Sequence, residues 1–277
     1  MINSQCCICG PAKNCGPYIT TVLENAEKIG SLFKDYIIIV FYDESSDNTL
    51  LKLNEFRIKN NKLNFFINKR PISKFRTHNI AFARNFCLNF VLSNQDKYPF
   101  FIMMDLDEVN CKHINTSILP KYFEEENSLY KWDALSFNSS PKYYDIWGLS
   151  IFPFCFSYNH FENNTIHNYH IIQNYVTNQL NSLKPGKLLS CISSFNGLSI
   201  YKTEKFLNCL YDGRPRIDLV PKKYIIAHSK ASHSSLVFND FGHIHGKFED
   251  CEHRIFHIMA KQKNAAKIRI SPELLFD

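Results

Sequence analysis

Asp105-Leu106-Asp107 directly follows Phe100–Met104, a run without a polar residue. A buried strand that ends in two carboxylates one residue apart suits a hard divalent cation. Such a cation takes one or two carboxylate oxygens and completes its shell with phosphate and water. The rival reading is a helix cap plus a surface acid. Arg84 is the second candidate. On a helical wheel, Thr77 to Ser93 places Ile80, Cys87, Leu88 and Val91 on one face with Arg84 at its centre. A guanidinium inside an apolar stripe requires an anionic partner, either Asp43 or Asp105 in a structural ion pair or the phosphate or base of a bound nucleotide. Asp43, with Ser45, Ser46, Asp47 and Thr49, closes a second apolar run, Tyr36 to Tyr42. These side chains are helix-cap formers, and Asp43 is also placed to meet a base or ribose.

The fourth candidate is Glu249 to His257. A helix from about Asp250 would pack on Cys251, Ile255, Ile258 and Met259 and place Asp250, His253 and His257 together on the far side. Two His at i and i+4 beside a carboxylate suit metal binding or acid–base work, or simply a solvated face. Glu252 falls on the flank beside Phe256, where an aromatic neighbour would raise the pKa of a general base. Weaker patterns are Cys6, Cys7, Cys9 and Cys15, which lack a second pair at zinc-ribbon spacing, and His243 and His245, which would share one strand face. Tyr143, Tyr144, Asp145 and Trp147 read equally as a sugar-stacking wall or an aromatic core cluster. Neither a glycine-rich phosphate loop nor a G-x-S-x-G elbow is present.

The elements that must position these groups alternate. Gln5–Cys9, Tyr36–Tyr42, Leu63–Ile67 and Phe100–Met104 read as strands, with helices at Tyr18–Phe33, after the Asp43–Thr49 cap segment to about Lys59, and at Thr77–Ser93. This alternation over residues 1–108 predicts a parallel α/β sheet with right-handed crossovers. Ligands in such sheets bind outside the carboxyl ends of the strands, where both Asp clusters fall. Beyond residue 108 the pattern is looser, with strands at Asp133–Asn138 and Gly197–Tyr201, helices at Ile166–Leu180 and Glu252–Lys263, and a loop-like, aromatic-rich Ser139–Asn164. The simplest organisation is one domain over residues 1–277, with a nucleotide-binding first half (1–108) and a more variable second half (109–277).

The 277 residues are 45% apolar and 21% charged, which excludes a disordered chain, a collagen and a coiled coil. No run approaches the ~20 apolar residues of a membrane span, and the N-terminus has no signal-peptide pattern. Ten cysteines are too dilute for a disulfide framework and point to a reducing, cytoplasmic setting. The sequons at Asn115, Asn138 and Asn163 would matter only in a secretory lumen. A net charge of +6 spread along the chain favours an anionic small ligand without singling out nucleic acid.

Taken in order, four segments resemble the nucleotide-sugar glycosyltransferases of the GT-A fold. CGPAKNCG (Cys9 to Gly16) resembles the loop after their first strand. FYDESSDNT (Phe41 to Thr49) resembles the D-D-x-S-x-D-x-T segment of family-2-type enzymes. Ala83-Arg84-Asn85 resembles their A-R-N helix, and MMDLD (Met103 to Asp107) is similar to their metal-binding D-x-D. More loosely, WDALSFN, YYDIWGL, FNGLSIYK and CEHRIFH resemble a subset found in large DNA viruses and bacteria. The resemblance implies a GT-A, mostly parallel sheet flanked by helices. It implies transfer of a sugar from a nucleotide-diphosphate donor, UDP before GDP, to a hydroxyl of a glycan or glycoprotein with Mn²⁺ or Mg²⁺.

Carried over by position, Pro11 lies in the donor loop, Asp43 meets the base and Arg84 meets the base or diphosphate. Asp107 binds the metal, and Asp105 touches the ribose or the metal through water. Gly197 lets the backbone approach the donor sugar, and His253 or His257 matches a C-terminal metal ligand. Glu249-Asp250 resembles the x-E-D signature of inverting enzymes, which leaves the base open between Asp250 and Glu252. Inversion is expected ahead of retention. Glu44 stands where a Gly is common. The alternative is a catalytically silent nucleotide- or glycan-binding module of the same fold.

Overall fold

A computed structural model describes residues 1–124, 131–162 and 165–277; Asn163, the third sequon, lies outside the described residues. The first half is built from β1 (Ile2–Ala12), α1 (Ile19–Gly30), β2 (Phe33–Asp43), α2 (Thr49–Lys59), β3 (Leu63–Asn68), α3 (Arg76–Ser93) and β4 (Phe100–Met104). The second half adds β5 (Ala134–Asn138), α4 (Thr165–Asn181), β6 (Leu189–Cys191), β7 (Leu198–Lys202), α5 (Lys222–Ser232), α6 (Glu252–Asn264) and β8 (Ile268–Leu274). All the strands lie in one sheet in the order β3-β2-β1-β4-β7-β5-β8-β6.

The pairs β2–β3, β1–β2, β1–β4 and β5–β8 are parallel, and β7 runs antiparallel between β4 and β5. This is the expected α/β class, a mostly parallel sheet flanked by helices. The expected strand at Gly197–Tyr201 begins one residue later and joins the two halves. β6, β8 and α5 were not expected.

Both faces of the sheet are covered, which is why the central strands are apolar at consecutive positions. Cys7, Cys9, Ile39 and Phe41 face one core with α3 and α6. Cys6, Ile8, Ile38 and Val40 face the other with α1. The cysteines of β1 are therefore buried free thiols, and all ten in the chain are free. On α3 the buried face holds Ala81, Cys87, Leu88 and Val91, with Arg84 among them. Among the described residues no helix is long and apolar enough to cross a membrane.

Candidate active site

The carboxyl ends of β1, β2 and β4, the Asn196–Gly197 turn and the N-terminus of α6 enclose a cleft of about 520 Å³. Pro11, Asp43, Arg84, Asp105, Asp107, Gly197, Glu252 and His253 all line it. Asp250 and His257 do not.

The DESSDNT segment shapes the cleft edge more than it fills it. The Asp47 carboxylate accepts from the N–H groups of Gly16 (2.7 Å) and Thr49 (3.0 Å) and from the Thr49 hydroxyl (2.6 Å). Thr49 Oγ1 accepts from Cys15 N–H (2.8 Å), and Asn14 N–H donates to Ser45 Oγ (2.9 Å). These bonds hold the Lys13–Gly16 loop against the start of α2; the N-cap Asn48 makes no side-chain cap bond, and Asp47 before it takes the Thr49 N–H instead. Asp43 alone from this segment reaches the cleft. Its Oδ1 accepts from Asn68 Nδ2 at 2.7 Å.

After β4 the chain turns sharply. Asp105 N–H donates to the Gly197 carbonyl (2.8 Å), and Asn110 Nδ2 donates to the carbonyls of Asp105 (2.7 Å) and Gly197 (2.8 Å). Gly197 has φ +84°, and a Cβ there would sit 2.6 Å from Val109 Cγ1. Only glycine meets both conditions without strain. Asp107 Oδ1 accepts from Val109 N–H (3.1 Å), so it also caps the short turn Glu108–Asn110. Burial, reinforced by the neighbouring Asp105 charge, pushes the Asp107 carboxyl up to about 6.

Arg84 is 3% exposed. Its Nη2 donates to Asp105 Oδ1 (2.6 Å) and its Nε to Glu252 Oε1 (2.8 Å). Its guanidinium carbon lies 4.7 Å from the centre of the Phe195 ring. Burial opposes its charge, and Asp105 and Glu252 outweigh that, so the guanidinium is held more firmly protonated than usual. The ion pair to Asp105 and a place in the cleft therefore coexist, and Glu252 is a further partner. Arg84 Nη1 is buried without a hydrogen-bond partner.

The N-terminus of α6 departs from the wheel. Glu252, His253, Arg254, Ile255, Phe256, His257 and Ile258 are all buried, so no solvated face exists here. Asp250 points away from the cleft. Its Oδ2 accepts from Arg254 Nε at 2.9 Å, and its Oδ1 lies 3.7 Å from His160 Nε2. His257 is enclosed between Ser193 Oγ (2.9 Å) and Tyr201 OH (3.1 Å), and burial pushes it down to about 3. That neutral, hydrogen-bonded imidazole is a core residue, which corrects its reading as a metal ligand. His253 stacks on Phe195 with ring centres 3.7 Å apart. Burial, then Arg84, holds it well below the usual imidazole range. Glu252 meets Arg84 instead of standing alone beside Phe256.

Among the described residues no three His, Cys, Asp or Glu side chains converge as a ready ligand set. Asp107 and Asp105 are therefore not joined by His253 in a closed site. Two hard carboxylates with no third protein ligand fit a Mg²⁺ or Mn²⁺ ion that arrives with phosphate and water. The weaker sequence patterns also resolve. Tyr143 is a core residue, whereas Tyr144 and Trp147 line the cleft. His243 and His245 lie exposed in a turn and do not line the cleft; the His245 ring centre lies 5.6 Å from that of Phe75. The sequence reading did not single out Lys13, Arg76 or Phe195, all of which line the cleft, and took Asp145 only as part of an aromatic wall. Asp145 accepts from the N–H groups of Gly148 (2.8 Å) and Asn196 (3.3 Å), and burial raises its carboxyl above the usual range despite those bonds. The D-G spacing across Asp145-Ile146-Trp147-Gly148 was its one local signal.

No protein-family model matches the chain, and no curated protein matches it. Solved structures with some likeness include Staphylococcus aureus TarS 1–349, at 14% identity over 99% of this chain and 59% of that one, TM-score 0.45. The mannosyltransferase PcManGT from Pyrobaculum calidifontis, in complex with GDP-Man and Mn²⁺, matches at 14% identity over 75% of this chain and 47% of its own, TM-score 0.40. Glucosyl-3-phosphoglycerate synthase from Mycobacterium tuberculosis, in complex with UDP, matches at 11% over 74% and 58%, TM-score 0.38. The chain spans about three-fifths of the TarS chain it matches. With TM-scores below 0.5, these likenesses leave the site to be read from its own geometry.

Proposed function

We propose that the chain is a glycosyltransferase that takes a nucleotide-sugar donor with Mn²⁺ or Mg²⁺ and transfers the sugar to a hydroxyl of a glycan or glycoprotein. The observation that carries this reading is the unequal pair after β4. Asp105 is matched by Arg84, whereas Asp107 faces the cleft with no ion-pair partner among the described residues. A carboxylate so placed, beside a second one and at the ligand-binding edge of an α/β sheet, is suited to a cation that a diphosphate brings with it.

Asp107, with Asp105, would hold that cation, which when bound neutralises the charge that develops on the diphosphate leaving group. Lys13 and Arg76, both exposed on the cleft wall, supply further positive charge for the phosphates. Asp43 accepts an N–H of the base. Asn68 donates to its Oδ1 and so orients the carboxylate, leaving lone pairs on both oxygens for the base. Gly197 lets the backbone lie close to the sugar, and Tyr144 and Trp147 offer aromatic faces to pyranose C–H groups.

Glu252 removes the acceptor proton in an inverting transfer. Its Oε1 is fixed by Arg84, and its Oε2 takes no hydrogen bond among the described residues. Arg84 thus orients the base while holding Asp105 beside the metal position. Asp250 is not retained in that role, because its carboxylate is committed to Arg254.

A thermal-shift panel of UDP, GDP, CMP and their sugars, with Mn²⁺ and with EDTA, tests the reading. A ligand at a hundredfold excess over its Kd stabilises by about 2.7 kcal/mol. The expected result is a Mn²⁺-dependent shift with UDP that Asp107→Ala abolishes. Absence of any shift at millimolar ligand overturns the proposal. The second reading, a silent binding module, has one observation in its favour: both candidate bases are held in ion pairs. Donor binding without transfer or slow hydrolysis would select it.

A further inference from the structure

One lip of the cleft combines cations that form no ion pair among the described residues with exposed apolar side chains. Between Glu55 and Asp96 the chain carries eight Lys and Arg and no acid. Lys62 is paired with Asp35, and Arg84 with Asp105 and Glu252. Lys69, Arg70 and Lys74, in the loop from β3 to α3, are exposed and form no ion pair among the described residues. The same loop and the turn packed against it expose large apolar side chains: Ile72 at 55% and Phe248 at 52%.

The loop is held in this shape. Asn79 Oδ1 accepts from the N–H groups of Ile72 and Ser73, each at 3.0 Å, and its Nδ2 donates to the carbonyls of Ser73 (2.8 Å) and Phe75 (3.0 Å). Phe75 stacks on Phe248 with ring centres 5.1 Å apart, which joins the loop to the turn before α6. A hydrogen-bonded clamp that keeps Ile72 in water, flanked by unmatched cations, has no role in the core. Strand pairing brings Asp43 and Glu44 beside Asn68, but Asp43 lines the cleft and the loop itself holds no acid.

We propose that this lip docks on an anionic lipid bilayer, with Lys69, Arg70 and Lys74 at the headgroup phosphates and Ile72 and Phe248 in the acyl boundary. Charge complementarity selects an anionic surface. The exposed aliphatic Ile72 at the tip of the loop selects hydrocarbon over nucleic-acid bases, which are bound by aromatic stacking. The inference does not depend on the transferase reading.

The test is co-sedimentation of the whole chain with vesicles of phosphatidylcholine alone, or of equal parts phosphatidylcholine and phosphatidylglycerol. Binding is expected only to the mixed vesicles, and salt should weaken it. Each cation near such a surface contributes about fivefold, so the combined Lys69→Ala, Arg70→Ala, Lys74→Ala variant should partition about a hundredfold more weakly. An Ile72→Trp chain should be quenched by brominated acyl chains to a degree that native Trp132 and Trp147 are not, which reads insertion without the charge variant. No sedimentation with mixed vesicles at low salt overturns the proposal. So does undiminished binding by a triple variant whose thermal melt matches the native, or absence of quenching at position 72. Tighter binding to single-stranded RNA at equal phosphate concentration overturns it in favour of nucleic acid.

Discussion

Arg84→Met removes the charge that ties the two halves of the cleft together, and its cost follows from the burial of its partners. The Arg84 side chain is 4% exposed and Glu252 6%, whereas Asp105 is 27% exposed. Removing one member of a buried pair costs about 3–5 kcal/mol because the other is left dry and uncompensated. Asp105 recovers some hydration after the change and Glu252 does not, so the low end applies, about 3 kcal/mol. For a chain of this size that is a fall of about 5 °C in Tm.

The pair itself is isolated by a cycle with Glu252→Gln. In the double variant the buried carboxylate is gone, so its loss should fall short of the sum of the singles by about 2 kcal/mol. Urea melts in EDTA read stability, and UDP–Mn²⁺ shifts read the site. Arg84→Met within about 0.5 kcal/mol of the native chain, or strict additivity in the cycle, would refute the bridge as a stabilising element. A native-like nucleotide shift in Arg84→Met would separately refute its place at the donor.

Asp107→Asn tests the second acid by its pH dependence. Because burial and Asp105 raise its carboxyl from 3.8 to about 6, the folded chain holds that proton more tightly than the unfolded chain does. This carboxyl's contribution therefore falls as pH rises from about 4 to about 6 and stays lower above, while the buried imidazoles His253 and His257 act in the opposite direction in both chains, so the difference between variant and native is what reads Asp107. The metal-free variant should equal the native chain near pH 3.5 and exceed it at pH 7 by up to about 3 kcal/mol, while losing the Mn²⁺-dependent shift. Parallel stability curves in EDTA would sink the assignment. Gly197→Ala must accept φ +84° and a contact 2.6 Å from Val109 Cγ1. About 1–3 kcal/mol of destabilisation is expected, with a weaker nucleotide shift, and a melt indistinguishable from native would contradict the close approach.

β1, β2 and β4 were legible because both faces of each are buried, which writes a continuous apolar run into the sequence. Arg84 was legible for the opposite reason, as a charge in the middle of an apolar stripe. The N-terminal turns of α6 were misread because the wheel assumes that one side of a helix meets water. Here the segment around Trp147 to Ser150 and the residues around Ser193 cover that side, and such cover is set by distant chain. Arg254 donates to the Leu149 carbonyl at 3.0 Å and also to Ser150 Oγ and the Trp147 carbonyl. β8 escaped because Ser271-Pro272 interrupts its alternation, and β6 because three residues carry no period.

The choice between Asp250 and Glu252 turns on the backbone just before α6. Cys251 is extended, with φ −62° and ψ 122°, and the helix begins only at Glu252. Asp250 therefore stands outside the helix and folds back on Arg254, one turn in, while Glu252 is carried forward to Arg84. Arg254, held by Asp250, also grips the carbonyls of Trp147 and Leu149, and so fixes the wall that bears Tyr144 and Asp145. Asp250 thus acts on the cleft through Arg254, and Glu252 acts in it. One short stretch of chain sets the base position and the opposite wall together. That is why two carboxylates two residues apart, which looked redundant for one task, serve different ones.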